Sequence, residues 1–293
     1  MTESLLDLLR CPQTGRPLSV QGSLQGDRLT GMLQAHNTGV TWPSSAGFIK
    51  LFREREIQGT DRVLRWFYDS APRLHDPAVK WLLPLFQGGQ TENETRSGYW
   101  PLLELEQAEA PVGRDFRVLE VGVGSGANLE GFARRLPGGR GTHIVGLDIS
   151  EGMLRLCRQR PCPSHPDMQV SLLLGDAHSL PFDDGVFDRV LHVGATGSFR
   201  DPAKALSEMA RVAKPGAPIV VVDEQIDPRE QHGFIARAAF KALTFYDSAP
   251  KSPQHLLPED TYDVFEWQIS RFYYALRFRR QAPPGEGESA TAD

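Results

Sequence analysis

The stretch Val118-Leu-Glu-Val-Gly122-Val-Gly124-Ser-Gly126-Ala-Asn-Leu129 constrains the fold of this chain more than any other. An apolar run too short for a helix feeds three glycines spaced by single residues, and a helical pattern follows. Glycines let the backbone turn tightly and let a ligand approach the main chain. From Arg117 onward the same alternation repeats. Strand-like runs at 117–121, 143–147, 170–174, 186–193 and 219–223 are separated by helical stretches at 127–136, 151–160 and 202–213. A further helix is expected at 231–243, and the pieces 265–272 and 274–280 suit a closing antiparallel pair. Short buried strands alternating with helices predict an α/β fold: a mostly parallel seven-stranded sheet with helices on both faces.

The glycine loop alone does not name a ligand, because Gly122-x-Gly124-x-x-Ala127 also satisfies the relaxed dinucleotide fingerprint. Asp148 ends the next strand, in Gly146-Leu-Asp148-Ile-Ser150, at the spacing where an acid meets ribose hydroxyls; the bland alternative is a cap for the helix near Glu151. Asp176, in Gly175-Asp176-Ala177-His178, follows the third strand, where an acid can accept from an adenine amino group or serve as a turn residue. Lys214-Pro215-Gly216 ends a helix and turns the chain back to the sheet. Chemistry is expected where the strands end. His192 follows the fourth strand, Asp223 and Glu224 follow the fifth, and Tyr246 and Asp247 lie in the loop 245–258. His192 is the natural candidate for a base near neutral pH, with a cofactor or core contact as its alternative. Tyr246 is the second catalytic candidate.

Taken in order, Glu120-x-Gly122-x-Gly124-x-Gly126, Asp148, Gly175-Asp176-Ala177, Phe187-Asp188-Arg-Val-Leu191 and Lys214-Pro215-Gly216 resemble the class I S-adenosylmethionine-dependent methyltransferases. The resemblance covers residues 115–280. It implies the Rossmann-like methyltransferase fold, S-adenosyl-L-methionine as cofactor and S-adenosyl-L-homocysteine as product. It also implies that Glu120, Gly122, Gly124, Gly126, Asp148, Ile149, Met153, Asp176, Ala177 and His192 hold the cofactor. Tyr68-Asp69-Ser-Ala71-Pro72 resembles a segment that the ubiquinone/menaquinone-biosynthesis branch carries before its core, which implies that Tyr68 touches the methionine end. That branch implies a small apolar or aromatic acceptor, methylated on oxygen or carbon. Many relatives carry a histidine pair before the segment matching Asp201-Pro202; here Gly197-Ser198 stands in that register, which leaves the identity of any base open.

Residues 1–55 read as a separate small α+β module, 56–110 as a helical cap, 111–280 as the core and 281–293 as a disordered tail rich in Pro, Gly and Glu. In the module, Leu5-Leu-Asp-Leu-Leu-Arg-Cys11-Pro12, Gly15-Arg-Pro17-Leu18 and Gly39-Val-Thr-Trp42-Pro43 resemble a small zinc-ribbon-like domain. A structural zinc needs four ligands. Cys11 stands alone and Thr14 occupies the second position, so no zinc is expected. Trp66, Phe67, Tyr68, Trp81, Phe86, Tyr99 and Trp100 could line an apolar pocket or pack as core. Arg271, Arg277, Arg279 and Arg280 read as a solvated face.

The net charge of -5 disfavours a nucleic-acid partner. A ribosomal- or transfer-RNA methyltransferase therefore stands as an alternative, beside a protein of this fold that binds the cofactor without transferring methyl. No apolar run approaches the ~20 residues that cross a bilayer, so no membrane partner is expected. Three cysteines suit a reducing compartment, read as the cytoplasm. A small-molecule substrate is expected, and the oligomeric state stays open.

Overall fold

The computed structural model describes residues 4–70, 92–109, 111–136, 141–160, 167–194, 196–244, 247 and 250–282. The chain opens on a single helical turn, α1 (Leu5–Leu8), whose Asp7 carboxylate accepts from the Ser4 amide at 3.2 Å and the Ser4 hydroxyl at 2.8 Å. Three strands follow as an antiparallel sheet: β1 (Leu18–Gln25), β2 (Arg28–Ala35) and β3 (Thr41–Pro43). The two-residue β4 (Ile49–Lys50) then leaves that sheet. Helix α2 (Gly59–Ser70) and helix α3 (Glu92–Tyr99) precede the main α/β run.

That run is β5 (Phe116–Val121), α4 (Leu129–Arg135), β6 (Thr142–Asp148), α5 (Glu151–Gln159), β7 (Met168–Leu174), β8 (Arg189–Val193), α6 (Pro202–Val212) and β9 (Ile219–Glu224). It closes with α7 (Phe234–Leu243), β10 (Thr261–Gln268) and β11 (Tyr273–Arg280). The strand order is β10-β11-β9-β8-β5-β6-β7-β4, parallel except at β11. The expected seven strands are therefore present in a mostly parallel sheet, and β4 adds an eighth. Pairing of Ile49 with Leu173 covers the edge of β7, which would otherwise present unpaired backbone groups.

Period-two alternation divides the core between the two faces of the sheet. Leu119, Val121, Val145, Leu147, Val190, Ile219 and Val221 pack with Ala205, Leu206 and Met209 of α6 on one face. Val118, Ile144, Leu191, Val220 and Val222 pack with Phe132 of α4 and Leu154 of α5 on the other. The N-terminal strands do not keep a core of their own. Leu9, Cys11, Leu33 and Trp42 join the α6 face, and the Arg10 amide donates to Pro181 at 2.8 Å. Asp27 accepts from the Leu172 amide at 2.9 Å, and the Arg158 guanidinium lies 3.6 Å over the Phe48 ring.

Several element boundaries differ from the sequence reading for local reasons. The glycine loop occupies residues up to Asn128, so α4 starts at Leu129 rather than 127. Residues 186–188 do not join β8, because the Asp188 carboxylate is turned to a forked pair with Arg114, at 2.6 and 2.7 Å. The expected strand 265–272 lies at Thr261–Gln268 instead. A register shift between Tyr262 and Phe265, with Asp263 at φ 51°, breaks the alternation and hid the first half of the strand. The arginines of β11 are not a solvated face. Arg277 and Arg279 pair with both Glu104 and Asp263, and Arg280 with Asp260; these side chains are only 16–19% exposed. Tyr99 and Trp100 are core, with Trp100 edge-on to Phe132 at 5.0 Å, whereas Trp66 is exposed. Trp81 and Phe86 lie outside the described residues, as do the Phe67 side chain and residues 283–293 of the tail.

Candidate active site

Strand order reverses between β5 and β8, because β6 and β7 follow β5 to one side while β8 and β9 lie on the other. Crevices open at such switch points, beyond the carboxyl ends of the strands. Gly122 follows β5 here, and its Cα faces the His192 ring at the end of β8; a Cβ on Gly122 would lie 3.4 Å from that ring. Gly126 has the firmest requirement for glycine. Its φ is 77°, and a Cβ would come within 2.6 Å of the Cys157 sulfur on α5.

Asp148, ending β6, grips this loop. One oxygen accepts from the Gly124 amide at 2.8 Å and the other from the Ser150 amide at 2.8 Å. Burial pushes its carboxyl up to about 6, against the pull of those amides. Ser150, not Asp148, caps α5, accepting from the Met153 amide at 3.1 Å. Met153 lies under the loop, its methyl 3.4 Å from where a Gly124 Cβ would stand, and Ile149 packs against the α5 face of the core.

Helix α2 is fastened across this edge at both ends. At its C-terminal end Asp69 accepts from the Ser150 hydroxyl at 2.6 Å and the Gly152 amide at 2.9 Å. The approach is close enough that a Cβ on Gly152 would come within 3.0 Å of the Asp69 Cα. At its other end Asp61 takes the Arg200 guanidinium at 2.5 Å, and the other arm of Arg200 takes Asp176 at 2.6 Å. Tyr68, between these anchors, has its hydroxyl pushed up to about 12 by burial and by the nearby charges of Glu224, Asp148 and Asp223. The ends of β6 and β9 and the C-terminal turn of α2 thus border one space.

Two buried groups keep an open acceptor in it. Glu120 accepts from the Asn128 amide through Oε1 at 2.6 Å, while Oε2 has no partner. Burial raises its carboxyl to about 7. The Asn128 carbonyl in turn takes the Tyr99 hydroxyl at 2.6 Å and the Arg96 guanidinium. His192 is buried, stacked on Phe199 at 5.0 Å, with Nδ1 2.8 Å from the Val121 carbonyl and Nε2 without a partner. A carbonyl only accepts, so the proton sits on Nδ1 and Nε2 carries a lone pair. Burial lowers the pKa of the ring and favours this neutral form.

The structure brings Glu120, Gly122, Gly124, Gly126, Asp148, Met153, His192 and Tyr68 to one edge. Asp176 ends at that edge too, but its oxygens are taken. Burial opposes its charge, and His178 and Arg200 overcome that penalty and hold the carboxyl down at about 2. Ala177 is packed into the core beside it. Tyr246 lies outside the described residues. Sequence reasoning missed Asn128, Arg200, Asp61 and the capping role of Asp69. Only Asp69 carried a signal, since it was quoted beside Tyr68.

Among known proteins, residues 119–221 match the methyltransferase-domain family. The chain is 37% identical over 163 residues to a demethylmenaquinone methyltransferase of Renibacterium salmoninarum, covering 56% of this chain and 59% of that one. It is 35% identical over 107 residues to the ubiquinone/menaquinone biosynthesis C-methyltransferase of Geobacter sulfurreducens, covering 36% and 41%. A solved phosphoethanolamine N-methyltransferase 2 of Haemonchus contortus, in complex with S-adenosyl-L-methionine, superposes with a TM-score of 0.49 at 13% identity, over 66% of this chain and 53% of that one. The chain spans roughly two fifths to three fifths of the curated relatives' length. Residues 119–221 are thus similar to methyltransferase domains, and the relatives that share this stretch include demethylmenaquinone and ubiquinone/menaquinone methyltransferases.

Proposed function

We propose that this chain transfers methyl from S-adenosyl-L-methionine to a small apolar or aromatic acceptor, a quinol-like ring, at carbon or oxygen. One observation carries the cofactor assignment. The glycine loop's Gly124 amide, which would face a pyrophosphate in a dinucleotide enzyme, already holds the Asp148 carboxylate. Glu120, Asp148, Asp223 and Glu224 gather at this edge. Such a cleft repels a pyrophosphate and suits a ligand that carries a sulfonium and an ammonium. The unpartnered Oε2 of Glu120 matches an ammonium, and Asp148, which accepts from the Gly124, Ser150 and Ile149 amides, keeps a lone pair for a ribose hydroxyl.

When bound, the cofactor supplies an electrophilic methyl on a sulfonium. The chain's own part is to hold nucleophile, methyl and sulfur in line and to exclude water. In this reading Glu120 and Asp148 orient the cofactor, and α2 covers it with Tyr68 facing inward. Asp176 orients the cofactor's adenine only if Arg200 yields one of its oxygens. The burial of His192 beneath Gly122 supports a role in shaping the cofactor floor rather than in removing a proton from the acceptor. We read residues 1–55 as a cover for the sheet edge, residues 56–110 as the cap and residues 111–280 as the transferase. The module is read as zinc-free on its donor set: Cys11 has no second cysteine nearby in sequence, and its sulfur takes the Trp42 indole N–H at 3.4 Å.

The test is calorimetric titration with S-adenosylmethionine, S-adenosylhomocysteine and NADH, comparing the natural chain with Asp148→Ala. The expected result is binding of the two adenosyl ligands only, weakened at least about tenfold in the variant, as for loss of a charged hydrogen-bond acceptor. Binding of NADH without response to either adenosyl ligand overturns the reading. Methyl transfer from labelled cofactor to a series of quinols then tests the acceptor class.

A further inference from the structure

Among the described residues, helix α7 is anchored on one side only. Phe240 packs on Phe272, ring centroids 5.2 Å apart, with Ile226, Ala236 and Tyr273 around them. The other side stands in solvent, with Phe234 86% and Ile235 73% exposed. Successive residues turn by 100° on a helix, so the exposed arc can be read in order. It runs Arg237, Lys241, Phe234, Ala238, Ala242, Ile235, all six exposed. Two cations thus line one edge of a continuous apolar band, and α7 contains no acidic residue, in a chain whose net charge is -5. Exposed apolar surface next to cations on a helix without acids is complementary to an anionic lipid surface, where the apolar side chains enter the acyl boundary and the cations remain with the headgroups.

The helix sits at the rim of the candidate site. It leaves from β9, which ends at Asp223 and Glu224, and its last turn is closed by Thr244 hydrogen-bonding to Phe240. Asp247 follows, with its carboxylate against Gly197, whose amide donates to Asp223 at 3.2 Å. We propose that the exposed face of α7 docks this protein on an anionic membrane surface, lying in the plane of the interface beside the mouth of the cleft. No described helix is long and apolar enough to cross a membrane, so this is surface association. It departs from the sequence expectation of no membrane partner, which rested on the lack of a spanning segment.

The experiment is flotation of the full chain with phosphatidylglycerol–phosphatidylcholine vesicles and with phosphatidylcholine vesicles, at low and high salt. The natural chain is expected to float with the anionic vesicles, to bind the neutral ones at least about tenfold less, and to release as salt screens the cations. The pair Arg237→Glu and Lys241→Glu should lower anionic binding at least about tenfold. The pair Phe234→Ser and Ile235→Ser should lower it by a similar factor or more, because each side chain loses its apolar burial. All four side chains are in solvent, so an unchanged melting temperature certifies the fold of each variant. Absence of flotation, or flotation that neither pair alters, overturns the proposal. A concentration-dependent dimer in sedimentation, abolished by the serine pair, would assign the face to a second copy of the chain and overturn it equally. Vesicle binding reads this surface alone and cofactor titration reads the cleft alone, so failure of one leaves the other standing.

Discussion

Arg200 ties α2 to the acid after β7, beside His178, and its removal can be followed quantitatively. Asp61 and Asp176 are both 5% exposed at the side chain, and Arg200, 26% exposed, forks between them at 2.5 and 2.6 Å. Arg200→Met keeps much of the aliphatic stem and deletes the charge. Removing one partner of a fully buried ion pair costs about 3–5 kcal/mol, because the other charge is stranded. Water reaches this guanidinium, so about 2–3 kcal/mol is expected at pH 7. The pH dependence distinguishes this cause from lost packing. In the natural chain Asp176 is held at about 2, below its ordinary 3.8. It therefore contributes about 2 kcal/mol that is present above pH 3.8 and is lost as the pH falls through about 2. In the variant Asp176 keeps His178 but loses Arg200, so its carboxyl protonates at higher pH and the gap between the two proteins narrows from pH 7 to pH 4. Urea unfolding followed by circular dichroism at the two pH values measures it. A deficit below about 0.5 kcal/mol at pH 7, or one of the same size at pH 4, refutes the electrostatic account. If the clamp also holds α2 over the cofactor, affinity for S-adenosylmethionine falls in the same variant.

Glu120 works in the opposite direction: its raised carboxyl, about 7 against an ordinary 4.5, costs the cofactor-free fold about 3 kcal/mol once the pH exceeds 7, and the cost fades as the pH falls toward 4.5. Glu120→Gln is expected to raise the melting temperature of the cofactor-free protein at pH 8 while weakening S-adenosylmethionine binding; thermal melts with and without cofactor read both. Gly126→Ala should destabilise by about 2–4 kcal/mol, from positive φ and collision with the Cys157 sulfur. Adding Cys157→Ala should recover the collision part but not the backbone part, which a double-mutant cycle by urea unfolding resolves.

What the sequence made legible was mainly what the backbone dictates. Strand-loop-helix at Val118–Leu129 needs only apolar alternation and glycines at positive φ, and both are written locally. Asp148 was legible because its position at the end of β6 is set by strand length. Asn128, Arg200 and Asp61 were not, because their roles exist only once distant segments meet: Asp61 lies 139 positions from Arg200, and Arg96 lies 32 from Asn128. No local pattern marks such pairs. The β11 arginines show the same limit from the other side. Their spacing reads as a solvent face, but Glu104 and Asp263 arrive from elsewhere and turn it into a half-buried ion-pair network.

The acids that border the cleft also bear on what the cofactor does to the fold. Glu120 and Asp148 both have pKa values raised by burial, to about 7 and about 6, so near neutral pH each is held in a site that disfavours its charge. The like charges of Glu224, Asp148 and Asp223 raise Tyr68 further. A cationic ligand that reaches them relieves this, and the relief is differential, since the unfolded chain holds no such cluster. S-adenosylhomocysteine keeps the ammonium but lacks the sulfonium, so it relieves less of it. The physical consequence is a stabilisation on binding that exceeds what contact area alone supplies and that grows with pH from 5 to 8, as Glu120 and Asp148 become charged. A pH-independent shift in melting temperature with saturating S-adenosylmethionine would mean that the acids are not what the cofactor meets.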